Sequence, residues 1–321
     1  MRIGELQMAL LRIVVGISLL IVPLAAVAQV RKPASSPSPG RTINVITEPN
    51  ATIWLDGVRF GTTDKSGSFS ITTVAQGVHT LRVRADGFRE KSLPLTALQK
   101  GDVDVVLIKT TDGAELAYQE AERLSTADRD KSADAYRKAI KLRPNYLDAY
   151  IGLARVLSDS GDLEEAQKTI GSGRKLAGGN AEASAVEGRI YKENGEEAKA
   201  TAAFKRSILE GKGFQPEAYT GLGILYKEKA EGLAGSGDFE KENTNYTEAA
   251  KNFRSAVKQL SGAPDAIVVY QLLGLVYERQ KKYTEAIGVY EEFLRLFPNA
   301  AEAEAVRSFI VQIKKDMASQ D

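Results

Sequence analysis

Cysteine is absent from this 321-residue chain, and histidine and tryptophan each occur once, as His79 and Trp54. Without cysteine no disulfide can form, so packing must hold the fold together. Structural zinc sites use sets of cysteine and histidine, and catalytic zinc sites usually need two or three histidines, so the common zinc sites cannot be assembled here. We therefore expect neither a bound metal nor a cofactor.

An excess of charge of one sign is also missing. The chain has 43 basic and 42 acidic residues, which gives a formal net charge of +1. A protein that binds nucleic acid through phosphate contacts needs a concentrated basic surface. The balanced charge therefore argues against nucleic acid as a main partner.

Motifs that support catalysis are missing as well. No G-x-S-x-G sequence occurs, and the glycine-rich run at residues 171–179 lacks the order of a phosphate-binding loop. His79 lies in an alternating strand pattern, which favours a structural or surface role. We predict that the chain is not an enzyme, and that only a pocket joining His79 to a carboxylate and a hydroxyl would revive the enzyme alternative.

What the chain does contain is a repeating pair in its C-terminal two thirds: a small residue is followed four positions later by a large one. The first three large residues are spaced 34 positions apart. A period of about 34 residues is typical of the helix–turn–helix unit of a solenoid. The pairs are Ser132/Tyr136, Ala166/Ile170, Ala200/Phe204, Ala249/Phe253 and Ala286/Tyr290.

Residues 113–321 resemble the tetratricopeptide repeat family. The resemblance implies an all-α helical solenoid with about five repeats over residues 112–299 and a C-terminal capping helix over residues 300–317. Stacked repeats of this kind share one continuous core. The best single match is residues 270–277, continued by Tyr283, Ala286, Tyr290 and Pro298.

The repeat spacing is broken once, between Tyr226 and Ala249, by 14 extra residues. The insertion, near residues 230–245, is polar and predicts two helix extensions around a loop. Loops that interrupt a repeat array often carry specificity. A tolerated neutral insertion is the equal alternative.

Short alternating strands characterise residues 42–110, where Asp56-Gly57 supplies a hairpin turn. Residues 49–57 resemble the PEGA family, although Asn50 stands where that motif usually has glycine. Residues 63–69 are similar to the transthyretin-like regulatory domain found beside carboxypeptidases. Both resemblances imply an antiparallel β-sandwich of about seven strands and carry over no catalytic residue. The predicted fold class is therefore multidomain α and β, with a small antiparallel β-sandwich followed by the all-α solenoid.

The N-terminus has the pattern of a signal peptide over residues 1–28. Arg2 and Arg12 precede or open an apolar run, and Ala26-Val27-Ala28 forms an A-x-A cleavage site. A Pro/Ser-rich linker follows at residues 29–41. We expect an exported protein that is periplasmic or associated with the cell envelope. The alternative is an uncleaved N-terminal helix that anchors the chain in a membrane.

In the tetratricopeptide repeat family, the first helix of each repeat lines the concave groove. Carried onto this sequence, the resemblance implies a protein-binding groove formed by Arg155, Arg189, Lys192, Thr220, Ile224, Lys227, Gln271 and Glu278. The basic residues among them predict either a positively charged strip that binds an acidic peptide or ordinary solvated charges on a helix face.

These observations predict a non-enzymatic, exported scaffold or adaptor of the bacterial cell envelope, whose groove binds a protein or peptide. The alternative is a peptidoglycan- or carbohydrate-binding module that uses the β domain, with the repeats as a spacer. Exposed aromatic side chains on the sandwich would favour that alternative. The residues that decide it are Trp54, Phe60, Phe69 and Phe88.

Overall fold

The computed structural model describes residues 40–318, in which seven strands are followed by eleven helices. The predicted signal peptide at residues 1–28 and nearly all of the linker at residues 29–41 lie outside the described residues. Among the helices in the described range, none has the length and apolar character needed to cross a bilayer. The strands are β1 (Arg41–Ile46), β2 (Thr52–Leu55), β3 (Val58–Thr62), β4 (Ser68–Val74), β5 (His79–Arg84), β6 (Lys91–Leu95) and β7 (Gly101–Asp104).

The helices follow one another along the chain with short connections. The first ten form five consecutive pairs, and α11 packs against the last of them. They are α1 (Gly113–Leu124), α2 (Arg129–Leu142), α3 (Leu147–Asp159), α4 (Leu163–Leu176), α5 (Ala181–Glu193), α6 (Glu197–Glu210), α7 (Pro216–Leu233), α8 (Phe239–Leu260), α9 (Ala266–Arg279), α10 (Tyr283–Leu296) and α11 (Ala303–Ala318).

The strands form a β-sandwich of two sheets, with strand orders β4-β1-β7 and β3-β2-β5-β6. One pairing differs from the predicted antiparallel arrangement, because β1 and β7 run parallel, with Val45 opposite Val103. A parallel pair needs a crossover connection. The chain supplies it by placing β6 in the other sheet before it returns to β1. The inward residues alternate along β1, where Ile43 and Val45 are fully buried, and Ile53 of β2 is fully buried as well.

The hairpin between β2 and β3 turns at Asp56 and Gly57, whose φ angles are 51° and 82°. Positive φ at both central residues is the requirement of the tight turns that join antiparallel strands, which is why Asp-Gly occurs there. The Asp56 carboxylate also accepts a hydrogen bond from the backbone N–H of Thr80, 2.8 Å away on β5. The hairpin is therefore held in a fixed direction relative to its sheet.

In the solenoid, the repeating small-then-large pair marks the packing between helices. Phe204 on α6 is 1% exposed, and its ring lies against Gly188 on α5 and Gly221 on α7. A Cβ atom at Gly188 would lie 2.6 Å from the ring, and one at Gly221 would lie closer still. The ring can occupy this position only because both first helices present glycine. Tyr136 makes the same kind of approach to Gly152 in the next repeat, and Tyr290 to Gly274 in its own repeat.

The insertion lengthens one repeat. Helices α7 and α8 contain 18 and 22 residues and are the longest in the described part of the chain. A short loop joins them, in which Gly235 and Gly237 adopt φ angles of 79° and 83°. Gln280 on α9 donates hydrogen bonds to the side chains of Asn243 and Thr247 on α8, so the extension is attached to the following repeat. The extra residues thus extend two helices around a loop, as the sequence predicts.

Helix α11 covers the end of the solenoid with one apolar face. Its Ala303, Val306, Ile310 and Ile313 are buried at helical spacing. Its opposite side is not wholly polar, because Phe309 is 48% exposed and leans on the Tyr290 ring at a centroid distance of 6.0 Å.

The glycine contacts lead to a test with a matched pair on one helix. We expect Gly221→Ala to lower the free energy of unfolding by about 1–3 kcal/mol, because the new methyl group overlaps the buried Phe204 ring. Gly232→Ala, at an exposed position of the same helix with no neighbour within 4 Å, should instead raise it by up to about 1 kcal/mol. Thermal unfolding followed by circular dichroism measures both. Equal changes of the same sign would show that the ring does not depend on the glycine.

Candidate binding groove

The sandwich packs against the first helices of the repeats, which form the surface predicted as the groove. Near α1, Arg84 is 8% exposed, and its guanidinium donates to the Glu90 carboxylate (2.9 Å) and lies 3.4 Å from Glu122. The same guanidinium lies over the rings of Trp54 and Tyr118, 5.0 and 4.6 Å from their centroids. Its charge is therefore buried with carboxylates and aromatic faces around it, which is the condition for burying a charge at tolerable cost.

A second contact near α1 is made by Gln119. Its side-chain oxygen accepts from the backbone N–H of Gly87 (2.8 Å), and its side-chain nitrogen donates to the carbonyl of Phe88 (2.7 Å). One amide side chain thus pairs with two backbone groups of the β5–β6 turn. With Gln119 only 4% exposed, these hydrogen bonds are shielded from water.

At its other end, the sandwich contacts the turn after α8. The Thr73 hydroxyl donates to the Ser261 carbonyl (2.6 Å), and the Ser261 hydroxyl donates to the Thr73 carbonyl (3.2 Å). Val58, at the start of β3, is 7% exposed and lies in the apolar cluster formed by helices α7–α11, together with Val269. Phe60 is half-buried and packs both on that cluster and on the sandwich core.

Between these two attachments lies a cavity of about 750 Å³. The β2–β3 hairpin forms one wall through Trp54 and Arg59, and helices α3, α5, α7 and α9 form the other. Helix α9 contributes Val268 and Val269 to the lining. Of the eight predicted groove residues, five line this cavity: Arg155, Arg189, Lys192, Thr220 and Ile224.

The other three predicted residues are not part of the cavity lining. Lys227 lies one turn further along α7 and pairs with the Glu231 carboxylate at 2.8 Å. The Glu278 carboxylate accepts a hydrogen bond from the Tyr290 hydroxyl. Gln271 is half-buried on α9. The structure thus brings together five predicted residues from α3, α5 and α7, and leaves out Lys227 further along α7 and the two predicted residues of α9.

The basic side chains that the solenoid contributes to the cavity are paired within the chain. Arg155 donates two hydrogen bonds to Glu217, at 2.8 and 2.5 Å, and lies 3.4 Å from Glu182. Arg189 pairs with Asp159 on α3. The Lys192 ammonium lies 3.3 Å from Glu228. The predicted basic strip is therefore neutralised by the solenoid's own carboxylates, and an acidic ligand would have to compete with them.

Several carboxylates on this surface have raised pKa values, although their side chains remain accessible to solvent. Burial raises the pKa of Glu182, which Arg155 partly offsets, and burial raises the pKa of Asp265, which Arg59 partly offsets. Asp148 on α3 also has a raised pKa because of burial, and Arg82 and Arg84 of the sandwich act against that shift. The solenoid thus presents carboxylates to arginines of the sandwich.

A smaller cavity of about 400 Å³ joins His79 and Asp56 to the hydroxyls of Thr73, Ser255 and Ser261. This is the combination of groups that would revive an enzyme. The His79 ring nitrogens, however, face the Asp56 carboxylate (Nδ1, 2.6 Å) and the carbonyl of Ala75 (Nε2, 3.0 Å). Both ring nitrogens are therefore engaged by acceptor groups of the chain, and within residues 40–318 no hydroxyl is hydrogen-bonded to either of them. The imidazole instead holds the hairpin turn in place.

The four aromatic residues that decide the glycan alternative are covered. Trp54 is 9% exposed and lies under Arg82, 4.4 Å from its ring centroid. Phe60, Phe69 and Phe88 are half-buried and pack against the sandwich core. None of them offers an open ring face of the kind that stacks on sugars. In the described residues, no group of three or more acidic or histidine side chains is placed to hold a metal ion.

The residues that join the two domains were not predicted from the sequence. Arg82 and Arg84 carried one usable signal, because residues two apart on a strand share a face, and two arginines on one face of a small sandwich require carboxylates opposite. No such sequence signal marks Thr73, Gln119 or Ser261. Their roles depend on which surfaces meet in three dimensions.

Family models match both parts of the chain. One described as a carboxypeptidase regulatory-like domain matches residues 27–109, and two described as tetratricopeptide repeats match residues 118–190 and 237–301. Of the two resemblances noted for the sandwich, the matching one is the carboxypeptidase regulatory-like domain. No curated protein matches the chain.

Solved structures with a similar solenoid include yeast Tom70 and MamA. The likeness to Tom70 has a TM-score of 0.52 at 16% identity and covers 65% of this chain and 41% of Tom70. The likeness to MamA has a TM-score of 0.42 at 21% identity and covers 61% of this chain and 97% of MamA. The likeness to Tom70 shows that the two solenoids share a fold. The chain is a tetratricopeptide repeat protein with an N-terminal carboxypeptidase regulatory-like domain.

Proposed function

We propose that this chain is a non-enzymatic, exported scaffold of the bacterial cell envelope, and that it binds a protein or peptide in the groove between its solenoid and its sandwich. The observation that carries the proposal is the convergence of side chains from three separate repeats on one cavity. Arg155, Lys192 and Thr220 come from α3, α5 and α7, so a ligand there would contact successive repeats, as extended ligands of solenoids do.

The lining suits a polypeptide better than a small charged molecule. Ile224 and Val268 offer apolar surface, and Thr220 offers a hydroxyl. The charges of Arg155 and Glu217 already satisfy each other. A ligand therefore gains most from apolar burial and hydrogen bonds along its backbone, and little from net charge.

The proposed location rests on the N-terminal pattern alone. A charged start, an apolar run and an A-x-A site over residues 1–28 support export, and the Pro/Ser-rich linker at residues 29–41 supports a folded part held away from what precedes it. The absence of cysteine is compatible with an oxidising compartment, because the chain has no thiol that could form a wrong disulfide there.

Site-specific crosslinking tests the groove as the binding surface. We expect a photo-crosslinking amino acid at Thr220, in the cavity, to capture a protein when the exported chain is illuminated in bacterial envelope fractions. The same group at Leu209, on α6 and 79% exposed, should capture none. Mass spectrometry of the adducts identifies the captured molecules. Equal capture from both positions would place binding outside the groove, and recovery of glycan alone would contradict a protein partner.

A double-mutant cycle tests whether Arg155 is engaged within the chain. We expect Arg155→Met and Glu217→Gln each to destabilise the protein, because the first leaves Glu217 half-buried and unpaired and the second leaves Arg155 with only the more distant Glu182. The double variant should lose less than the sum, with a coupling energy of about 1 kcal/mol. Urea unfolding of the three variants gives the coupling. Additive losses would mean that Arg155 is free for a ligand.

A further inference from the structure

The β2–β3 hairpin occupies part of the surface on which a partner would bind. Val58 is buried in the apolar cluster of the solenoid and does not belong to the apolar core of its own sandwich. Its side chain therefore contributes to docking and not to the sandwich fold. Trp54 and Arg59, from the same hairpin, line the cavity opposite α5 and α7.

The two attachments of the sandwich differ in kind. At the α1 end, the chain itself passes from β7 into α1, and Val105 and Leu107 of the connection are buried in the sandwich core. This end is tethered covalently. The far end is held by the reciprocal hydrogen bonds between Thr73 and Ser261, and by the contacts of Val58 and Phe60 with the solenoid cluster.

The interface between these attachments is open, because a cavity of about 750 Å³ separates the hairpin from the helices. Domains of one chain are expected to move relative to each other unless their interface is large and hydrophobic. The far attachment can therefore open while the tether at α1 holds.

We propose that the β2–β3 hairpin is a built-in occupant of the groove, which a protein partner displaces when it binds. The proposal rests on the proposed function of the groove. A tethered hairpin has an effective concentration on the order of millimolar at its own site. The apparent affinity of a competitor is then its intrinsic affinity multiplied by the fraction of time that the groove is open.

The vacated surface indicates what a competitor must offer. The hairpin places an apolar side chain, Val58, on the solenoid cluster and a cation, Arg59, in the cavity lining that also includes the Asp265 carboxylate. Arg59 forms no ion pair within 4 Å in the described part of the chain, so it acts on Asp265 at longer range. A protein segment with an apolar residue beside a lysine or arginine would reproduce both contacts.

The absence of cysteine allows a direct test on the full chain. Thr220→Cys introduces a single thiol into the groove, and a maleimide coupled to polyethylene glycol is too bulky to react while the hairpin covers it. In that background, Val58→Asp should raise the rate of labelling about tenfold or more, because it removes apolar burial and places a charge in the cluster. Val78→Asp is the matched control, since Val78 is 72% exposed on the same domain and should leave the rate unchanged.

Trp54 provides a second measurement. As the only tryptophan, it reports on this interface alone, and its emission should shift to longer wavelength in the Val58→Asp chain. Circular dichroism must stay unchanged for this variant to be read as opening. If the Val58→Asp chain unfolds, the Thr73→Val variant tests the proposal instead. This substitution removes only the hydrogen bond that the Thr73 hydroxyl donates to Ser261, and it should raise the rate of labelling several-fold.

Equal labelling rates in the parent and in a folded opening variant would overturn the proposal. Such a result would leave the proposed function standing, because the labelling uses no partner. Conversely, faster labelling in Val58→Asp without capture from Thr220 in envelope fractions would support the hairpin as an occupant and reject the groove as a protein-binding surface.

Discussion

The close approach of a large ring to glycines on the neighbouring helices determines the geometry of the solenoid. Phe204 lies against Gly188 and Gly221, one before it and one after it in the chain. Close-packed interiors leave no slack for an additional methyl group at such a point. The distance between α5 and α7 is thereby set, and with it the positions of Lys192 and Thr220 on the cavity wall.

The surface of the sandwich complements that of the solenoid in charge. Arginines 82 and 84 of the sandwich face carboxylates of α1 and α3, and most basic groups of the solenoid are paired with its own acids. An overall charge near zero therefore does not mean an uncharged surface. Where the domains meet, Arg84 of the sandwich also pairs with Glu122 of the solenoid, in addition to the ion pairs within each domain.

Much of the architecture could be predicted because it depends on local sequence. The pair Ala200/Phe204, the turn at Asp56-Gly57 and the 14-residue break after Tyr226 each report on a helix, a hairpin or a loop within a few residues. The docking of the sandwich could not be predicted, because it joins residues such as Thr73 and Ser261, which are 188 positions apart. The parallel pairing of β1 with β7 could not be predicted either, because the alternation of side chains along a strand does not reveal the direction of its neighbour.

A solenoid of repeats alone behaves as a row of neighbours, in which each unit is stabilised only by the next. The contact between Thr73 and Ser261 changes this, since the sandwich is continuous with α1 and reaches the turn after α8. The first four repeats are thereby closed into a loop. Separating any two of these repeats must also break the contact between the sandwich and the turn after α8. This part of the molecule therefore resists stretching more than an open row of repeats would.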